Sequence, residues 1–413
     1  MGSLNRREFA VLGAAALTGA SSLALGSRRA RAAETITLGG SVPLSGRAAE
    51  TGLNVYNGYQ TAVKYFNEEL GGVEIGGTRY MLALDMVDDA SDPQRATSLL
   101  QRQLDQGIDF FLGSFSSTIV LPTAAIAERA RKPMVQTGGG SDQIFTQGYR
   151  HVFGMYPRAS KQFISSIGFF DTLEPRPQSA VVINTNDAFS KTQAEGAIND
   201  LEAAGYQVID TFELPAVVAD VSSVLNAIRS SQPDMVICTT HDENSLLITR
   251  QMAASGTNAR LLYQTLGPQL ASYRETLGKF AEAVIVPQYW DENVKYGDEY
   301  FGGAKQFAEY YRANFDRPIA YHVSGGAACI VCYVKAMQTA GTTDTEAVRD
   351  ALAALDFDTF YTHIKFTPDG DGDPILMGPA VGQVQDGEVA VVHPEDAAYA
   401  EVVYPMPKWE ERA

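Results

Sequence analysis

The chain has 413 residues, 45% of them hydrophobic and 20% charged, which is room for two or three domains. An ordinary apolar fraction excludes wholesale disorder and a collagen-like repeat. The formal net charge of −17, from 32 Lys and Arg against 49 Asp and Glu, has the wrong sign for a protein that neutralises phosphates, so nucleic acid and anionic membrane are excluded as general partners.

Residues 1–32 stand apart from the rest. They hold five Arg (Arg6, Arg7, Arg28, Arg29, Arg31) and one acid (Glu8), and without them the net charge is −21. Asn5-Arg6-Arg7-Glu8-Phe9 precedes a Gly/Ala/Leu-rich stretch, Ala10–Gly26, and Ala30-Arg31-Ala32 is a small-residue cleavage site. Basic head, short apolar run and small residues are the three parts of an export signal. The apolar run is 17 residues with three Gly, too short to span a hydrocarbon core of about 30 Å comfortably. The paired arginines resemble a twin-arginine signal. We expect cleavage near Ala32/Ala33 and release into a bacterial periplasm, with no membrane anchor. Of the three Cys (Cys238, Cys329, Cys332), none lies near the cleavage site, and an odd count gives no disulfide framework. Cys329-Ile-Val-Cys332 sits in an apolar helical run and reads as two small core side chains on one helical face.

In chain order, Thr35–Val42 is a buried-strand pattern. Gly52–Leu70 is helical, with Tyr56, Tyr59, Val63 and Phe66 at helical spacing. Strand Tyr80–Val87 follows, then helix Asp92–Gln106 with Asp92-Pro93 as N-cap and first-turn Pro. Strand Phe110–Gly113, helix Ile119–Arg131 and strand Pro133–Gln136 complete a first array. The alternation restarts with helix Gln162–Thr172, strand Ser179–Asn184, helix Lys191–Ala204 and strand Gln207–Leu214. Helix Val221–Ser230, strand Met235–Thr239, helix Asn244–Ala254 and strand Leu261–Thr265 continue it. Two β-α-β arrays predict an α/β protein with two doubly wound parallel sheets, ligands binding outside the strand carboxyl ends. The last segment has helices Gly303–Asn314, Gly325–Ala340 and Asp344–Ala354, then short strands through Ile364–Phe366, Ala380–Gln385 and Glu388–Val392. Those strands are too few for a third sheet, so this segment completes the first two lobes.

Strand ends of the first array carry Leu44-Ser45-Gly46, Gly113–Thr118 and Thr137–Ser141, loops of N–H groups and hydroxyls suited to an anionic oxygen. Enzyme motifs are missing: there is no G-x-S-x-G, P-loop, G-x-G-x-x-G or H-E-x-x-H. The five His are scattered without metal-ligand spacing, and no cofactor is implied. Asp369-Gly370-Asp371-Gly372-Asp373 begins like a calcium loop, but Ala380 stands where a bidentate Glu is needed. A tight turn with solvated carboxylates is the better reading.

Gly40–Gly52, Gly71-Gly72-Val73, Asp88-Asp89-Ala90-Ser91-Asp92-Pro93, Gly113–Thr118 and Pro133–Ser141 stand in the order and spacing of one family. The chain resembles the type I periplasmic solute-binding proteins of the branched-chain amino acid (Leu/Ile/Val) kind, which feed ABC importers, from Glu34 to about residue 395. The resemblance implies two lobes joined by three crossing strands, near Tyr156, Pro287 and Tyr361, that close on a ligand. It divides the chain into 33–155 (first lobe), 156–286 (second lobe), 287–361 (return to the first) and 362–413 (return to the second, and tail). It implies Ser117, with Ser116 beside it, for the ligand carboxylate. Gly139 and Ser141 come from the next loop, Thr51 from near the first strand, and Phe189 and His241 from the second lobe.

The family's amino-acid binders place an acid after the strand Leu261–Thr265 to hold the ligand ammonium, and this chain has Gln264-Thr265-Leu266-Gly267. A buried ammonium without a counter-charge is costly. Either Asp242 or Asp142 substitutes, or the ligand lacks an amine. Phe115, Tyr156, Phe189, Tyr289 and Trp290 are candidates to stack on an apolar or aromatic body. The expectation is a monomeric, non-enzymatic receptor. It passes a small carboxylate with an apolar or aromatic body, or a hydrophobic amino acid, to an inner-membrane ABC permease. A sensory domain of the same fold and an exported enzyme are the alternatives.

Overall fold

The computed structural model describes residues 34–412, so the expected export signal and cleavage site lie outside the described residues. The first sheet is built from β1 (Glu34–Val42), β2 (Val73–Ile75), β3 (Thr78–Asp88), β4 (Phe110–Leu112), β5 (Met134–Gln136) and β6 (Val152–Gly154). They are ordered β2-β3-β1-β4-β5-β6, parallel except for β2. Between them run α1 (Ala49–Lys64), α2 (Pro93–Asp105), α3 (Ser117–Ala130) and the single turn α4 (Asp142–Phe145). As expected, Asp92 starts α2 by accepting from the N–H groups of Gln94 and Arg95 at 2.7 and 3.1 Å, with Pro93 in the first turn.

After α5 (Ile164–Thr172) the second sheet begins with β7 (Ser179–Thr185), β8 (Gln207–Leu214), β9 (Met235–Thr239), β10 (Leu261–Gln264) and β11 (Ile285–Gln288). Its helices are α6 (Ala188–Ala203), α7 (Ser222–Ser231), α8 (Asp242–Ser255) and α9 (Ala271–Leu277). The chain then runs through a short hairpin, β12 (Gly297–Asp298) with β13 (Gly302–Gly303), and α10 (Ala304–Asn314), α11 (Tyr321–Ala340) and α12 (Thr345–Ala353). A second hairpin, β14 (Asp356–Asp358) with β15 (His363–Lys365), precedes β16 (Ala380–Gln385) and β17 (Glu388–His393). These last two add antiparallel to the second sheet, ordered β17-β16-β11-β10-β9-β7-β8.

In each sheet the strand order reverses once, between β1 and β4 and between β7 and β9. Such switch points leave a crevice at the strand carboxyl ends. The late segment packs in the first lobe: Trp290, Phe307, Tyr333 and Phe360 share one core with Leu38, Tyr59 and Leu112. The chain stays with that core past the expected crossing at Tyr361, through Ile364, Phe366 and Met377, and re-enters the second sheet at Ala380.

Close helix packing explains how α11 reaches the strand ends. A Cβ on Gly58 of α1 would lie 2.1 Å from the Val323 carbonyl, and one on Gly326 2.6 Å from the Val55 carbonyl. A Cβ on Gly325 would lie 2.5 Å from Thr137 Oγ1 and 2.9 Å from the Tyr156 hydroxyl, so only glycine lets the start of α11 sit against the loop after β5. Cys329 and Cys332 are free and fully buried in this helix, with Cys329 Sγ 3.3 Å from the Gly325 carbonyl one turn back.

The Asp369–Asp373 turn differs from expectation. Asp371 is 1% exposed, not solvated. Arg158, just past the first crossing, meets it with Nε at 3.0 Å and Nη2 at 2.9 Å, and Nη2 also meets Asp369 at 2.7 Å. The Arg158 N–H and the Thr367 hydroxyl donate to Asp371 as well. The acids hold the first crossing to the chain approaching the third, which a metal-loop or free-turn reading could not anticipate.

A cavity at the two switch points

The Asp88–Pro93 motif has a physical task. Asp88 accepts from the N–H groups of Leu44 and Ser45 at 2.8 and 3.2 Å and from the Ser45 hydroxyl at 2.6 Å. Fully buried Asp89 takes the hydroxyls of Ser41 at 2.9 Å and Ser114 at 2.6 Å. One dipeptide therefore fixes the loops leaving β1, β3 and β4, and with them the position of Phe115 and Ser116.

A small cavity of about 30 Å³ lies between the lobes, lined from the ends of β4 (Phe115, Ser116), β5 (Thr137, Gly138, Gly140), β6 (Tyr156), β10 (Thr265, Leu266) and β11 (Pro287, Tyr289). Gln162, Phe189, Gln193 and His241 complete the second-lobe wall, and Tyr321 and His322 come from the start of α11. Of the ten expected site residues, Phe115, Ser116, Tyr156, Phe189 and His241 line it.

The other five sit elsewhere, each for a visible reason. Ser117 Oγ accepts from the N–H groups of Gly140 and Ser141, both at 3.0 Å, and so braces one loop against the other. Gly139 packs on Val120 and Ile144, and its N–H donates to Gln136 Oε1 at 2.6 Å. Gly138 also donates to that oxygen, at 2.9 Å, so the Gly-rich loop spends these N–H groups inside the protein and does not offer them to a ligand. Ser141 is fully buried with its hydroxyl unpartnered. Thr51 bridges the lobes instead, its hydroxyl donating to Asp242 at 3.1 Å. Trp290 belongs to the first-lobe core, ring against Phe307 and Nε1 donating to the Phe360 carbonyl at 3.0 Å. Neither candidate acid reaches the cavity lining: Asp142 binds Ser160 (3.0 Å to N–H, 2.5 Å to Oγ) and Asp242 takes Thr51.

The electrostatics of the cavity favour an anion. No Asp or Glu lines it among the described residues. His241 Nε2 lies 3.2 Å from Asp187, which also caps α6 through the N–H groups of Phe189 and Ser190. Burial opposes charge on both groups, but their mutual contact holds the His241 pKa above, and the Asp187 pKa well below, the ordinary values. His322 has no such partner, and burial pushes it down to about 3, so it is neutral. Helices α3 and α11 start at the cavity without a side-chain cap and with no acid in the first turn, leaving N–H groups and positive dipole ends there, whereas the first turn of α8 at the rim carries Asp242 and Glu243. The walls are rings: Phe115 lies edge-on to His241 (6.0 Å) and His322 (5.6 Å), and Tyr289 packs on Tyr156 (4.7 Å) and Tyr321 (5.3 Å).

Residues 35–388 match the periplasmic binding protein family. The chain belongs to that family. Its members are solute-binding proteins, not enzymes, and the chain is similar to Leu/Ile/Val-binding proteins. A Leu/Ile/Val-binding protein homolog of Brucella suis is 24% identical over 396 residues, covering 91% of this chain and 96% of that protein. Among solved structures, a leucine binding protein of Thermotoga maritima is 22% identical with a TM-score of 0.75, covering 87% of this chain and 99% of its own. A solute binding protein of R. palustris in complex with benzoate is 17% identical with a TM-score of 0.72, covering 90% and 98%. These likenesses establish the two-lobe α/β fold with two mainly parallel sheets.

Proposed function

We propose that this chain is the periplasmic receptor of an ABC importer for a small carboxylate with an aromatic body, and that residues 1–32 direct its export by the twin-arginine route. The observation that carries this reading is the cavity itself: ring walls, no carboxylate in the lining among the described residues, and His241, its pKa raised by Asp187, beside uncapped helix starts. The ligand carboxylate takes the Ser116 hydroxyl and the first turn of α3, with His241 adding positive charge. The rings and Leu266 enclose the body. An α-amino group has no counter-ion there, which is why a branched-chain amino acid ranks second despite the relatives' names.

The receptor acts as a monomer whose lobes close about crossings near Tyr156, near Pro287 and between Met377 and Ala380. Thr51–Asp242 and the 2.6 Å contact of the Ser272 hydroxyl with Glu50 are bonds between lobes that opening must break. The test is a thermal-shift screen of the purified protein against aromatic acids, aliphatic acids and amino acids. A ligand at 100 times its Kd adds about 2.7 kcal/mol of stability. Aromatic acids are expected to raise Tm and leucine to leave it unchanged. A shift with leucine and none with any aromatic acid rejects the reading.

A further inference from the structure

The orientation of two buried glutamines in the second-lobe wall defines an unmet hydrogen-bond need. Gln162 is 4% exposed and Gln193 2% exposed, and both line the cavity. Gln162 Nε2 lies 2.7 Å from the Pro157 carbonyl, which accepts and has no proton to give. That contact fixes which end of the Gln162 amide is nitrogen, and its Oε1 must then face Gln193 at 2.9 Å. An oxygen there accepts only, so Gln193 presents Nε2 to it. The relay ends with Gln193 Oε1 buried and without a partner. A buried acceptor left unmet costs about 1–3 kcal/mol, so its presence in a closed binding cavity points to a donor that arrives with the ligand.

The place of this acceptor says which part of the ligand carries the donor. Gln193 lies one helical turn after Phe189 on α6, on the same face. The Phe189 ring packs on His241 at 5.7 Å, and His241 packs on Phe115, the neighbour of Ser116. The ring wall thus runs between the carboxylate end at Ser116 and the acceptor at Gln193. Two further polar atoms of the lining, the Tyr289 hydroxyl and His322 Nδ1, are also buried without partners. A plain aromatic acid ionised at neutral pH brings acceptors alone and satisfies none of the acceptor need. An ammonium brings donors, but its charge has no carboxylate in the lining among the described residues.

Building on the proposed carboxylate function, we propose that the ligand body bears a neutral hydrogen-bond donor, a phenolic hydroxyl or ring N–H, that Gln193 Oε1 reads. Gln193 is then the specificity-determining residue for substitution on the ring.

The experiment is calorimetric measurement of Kd on the purified protein with benzoate, meta-hydroxybenzoate, para-hydroxybenzoate, indole-carboxylate and leucine. At least one donor-bearing acid is expected to bind ten or more times tighter than benzoate. In Gln193→Leu, which removes the acceptor, that acid is expected to lose its advantage while benzoate binds as well or better. Gln193→Met, closer in length and likewise without the acceptor, should lose the same preference if the leucine variant does not fold. Equal Kd for benzoate and every donor-bearing acid overturns this inference and leaves the carboxylate reading standing. So does a preference that survives Gln193→Leu. Tight leucine binding with no aromatic acid bound overturns both.

Discussion

The cavity between the lobes adjoins another, and the two share Phe115, Ser116 and His241. The inner one is walled by rings, glycines and amides, with no acid among the described residues. The outer one, at the rim, is lined by Asp187, Asp242, Glu243 and Arg47 as well. A few ångströms separate a place where an ammonium has no counter-charge from one rich in carboxylates. Two of these acids are already engaged: Asp187 with His241 and the start of α6, Asp242 with Thr51 across the cleft. The protein therefore uses negative charge to build and close the site, and keeps it out of the space where a ligand is enclosed.

Importing an acid into the inner cavity should erase that difference. Leu266→Glu puts a carboxylate after β10, and aromatic-acid affinity is expected to fall at least a thousandfold, about 4 kcal/mol by calorimetry. Breaking the rim has the next largest effect. Asp187→Ala removes the α6 cap and the partner of His241, at about 2–4 kcal/mol of stability by urea denaturation. The pH dependence of that loss follows from the two shifts. The lowered Asp187 pKa contributes above the ordinary carboxylate value of about 3.9, and its contribution is lost as pH falls through the lowered value. The raised His241 pKa contributes fully below about 6.5 and is lost as pH rises through the raised value. The difference between wild type and variant should therefore be greatest between about pH 4 and 6.5 and shrink in alkali. Anion affinity of the wild type should weaken over the same alkaline range.

Smaller changes sharpen the division of labour. Ser116→Ala should cost a bound carboxylate about 1.5–3 kcal/mol, whereas Ser117→Ala should act on stability through the Gly140 and Ser141 N–H groups it leaves unmet. Thr51→Val touches only the closing contact. It should lower affinity by about 0.5–1.5 kcal/mol, read as faster ligand release in stopped flow.

Much of this arrangement was legible in the sequence. Strand and helix periodicity gave both arrays, and the strand-end rule pointed to Phe115, Ser116 and the loops around them. The missing acid after β10 was visible as Gln264-Thr265-Leu266-Gly267. What escaped shares a cause. Helix α6 was expected from Lys191 and begins at Ala188, and α11 was expected from Gly325 and begins at Tyr321. The residues lost by drawing those starts late include Tyr321 and His322, and an earlier α6 start would have set Gln193 one turn after Phe189. Strand β11 was hidden by Pro287, whose missing N–H is tolerated because β10 pairs only with Ile285. Burial of Asp371 depends on Arg158, 213 residues away, and no local pattern encodes that meeting. Ser117 and Ser141 were drawn to the ligand by their place in the motif, while the fold turned one inward as a brace and buried the other.

The central claim is that the inner cavity accepts a carboxylate on an aromatic body and has no home for an ammonium. Phenylpropionate and phenylalanine have the same ring and carboxylate and differ only by the amine, so titrating both into the purified protein by calorimetry isolates that point. Phenylpropionate is expected to bind at least a hundredfold tighter. Phenylalanine binding as tightly or more tightly would contradict the account.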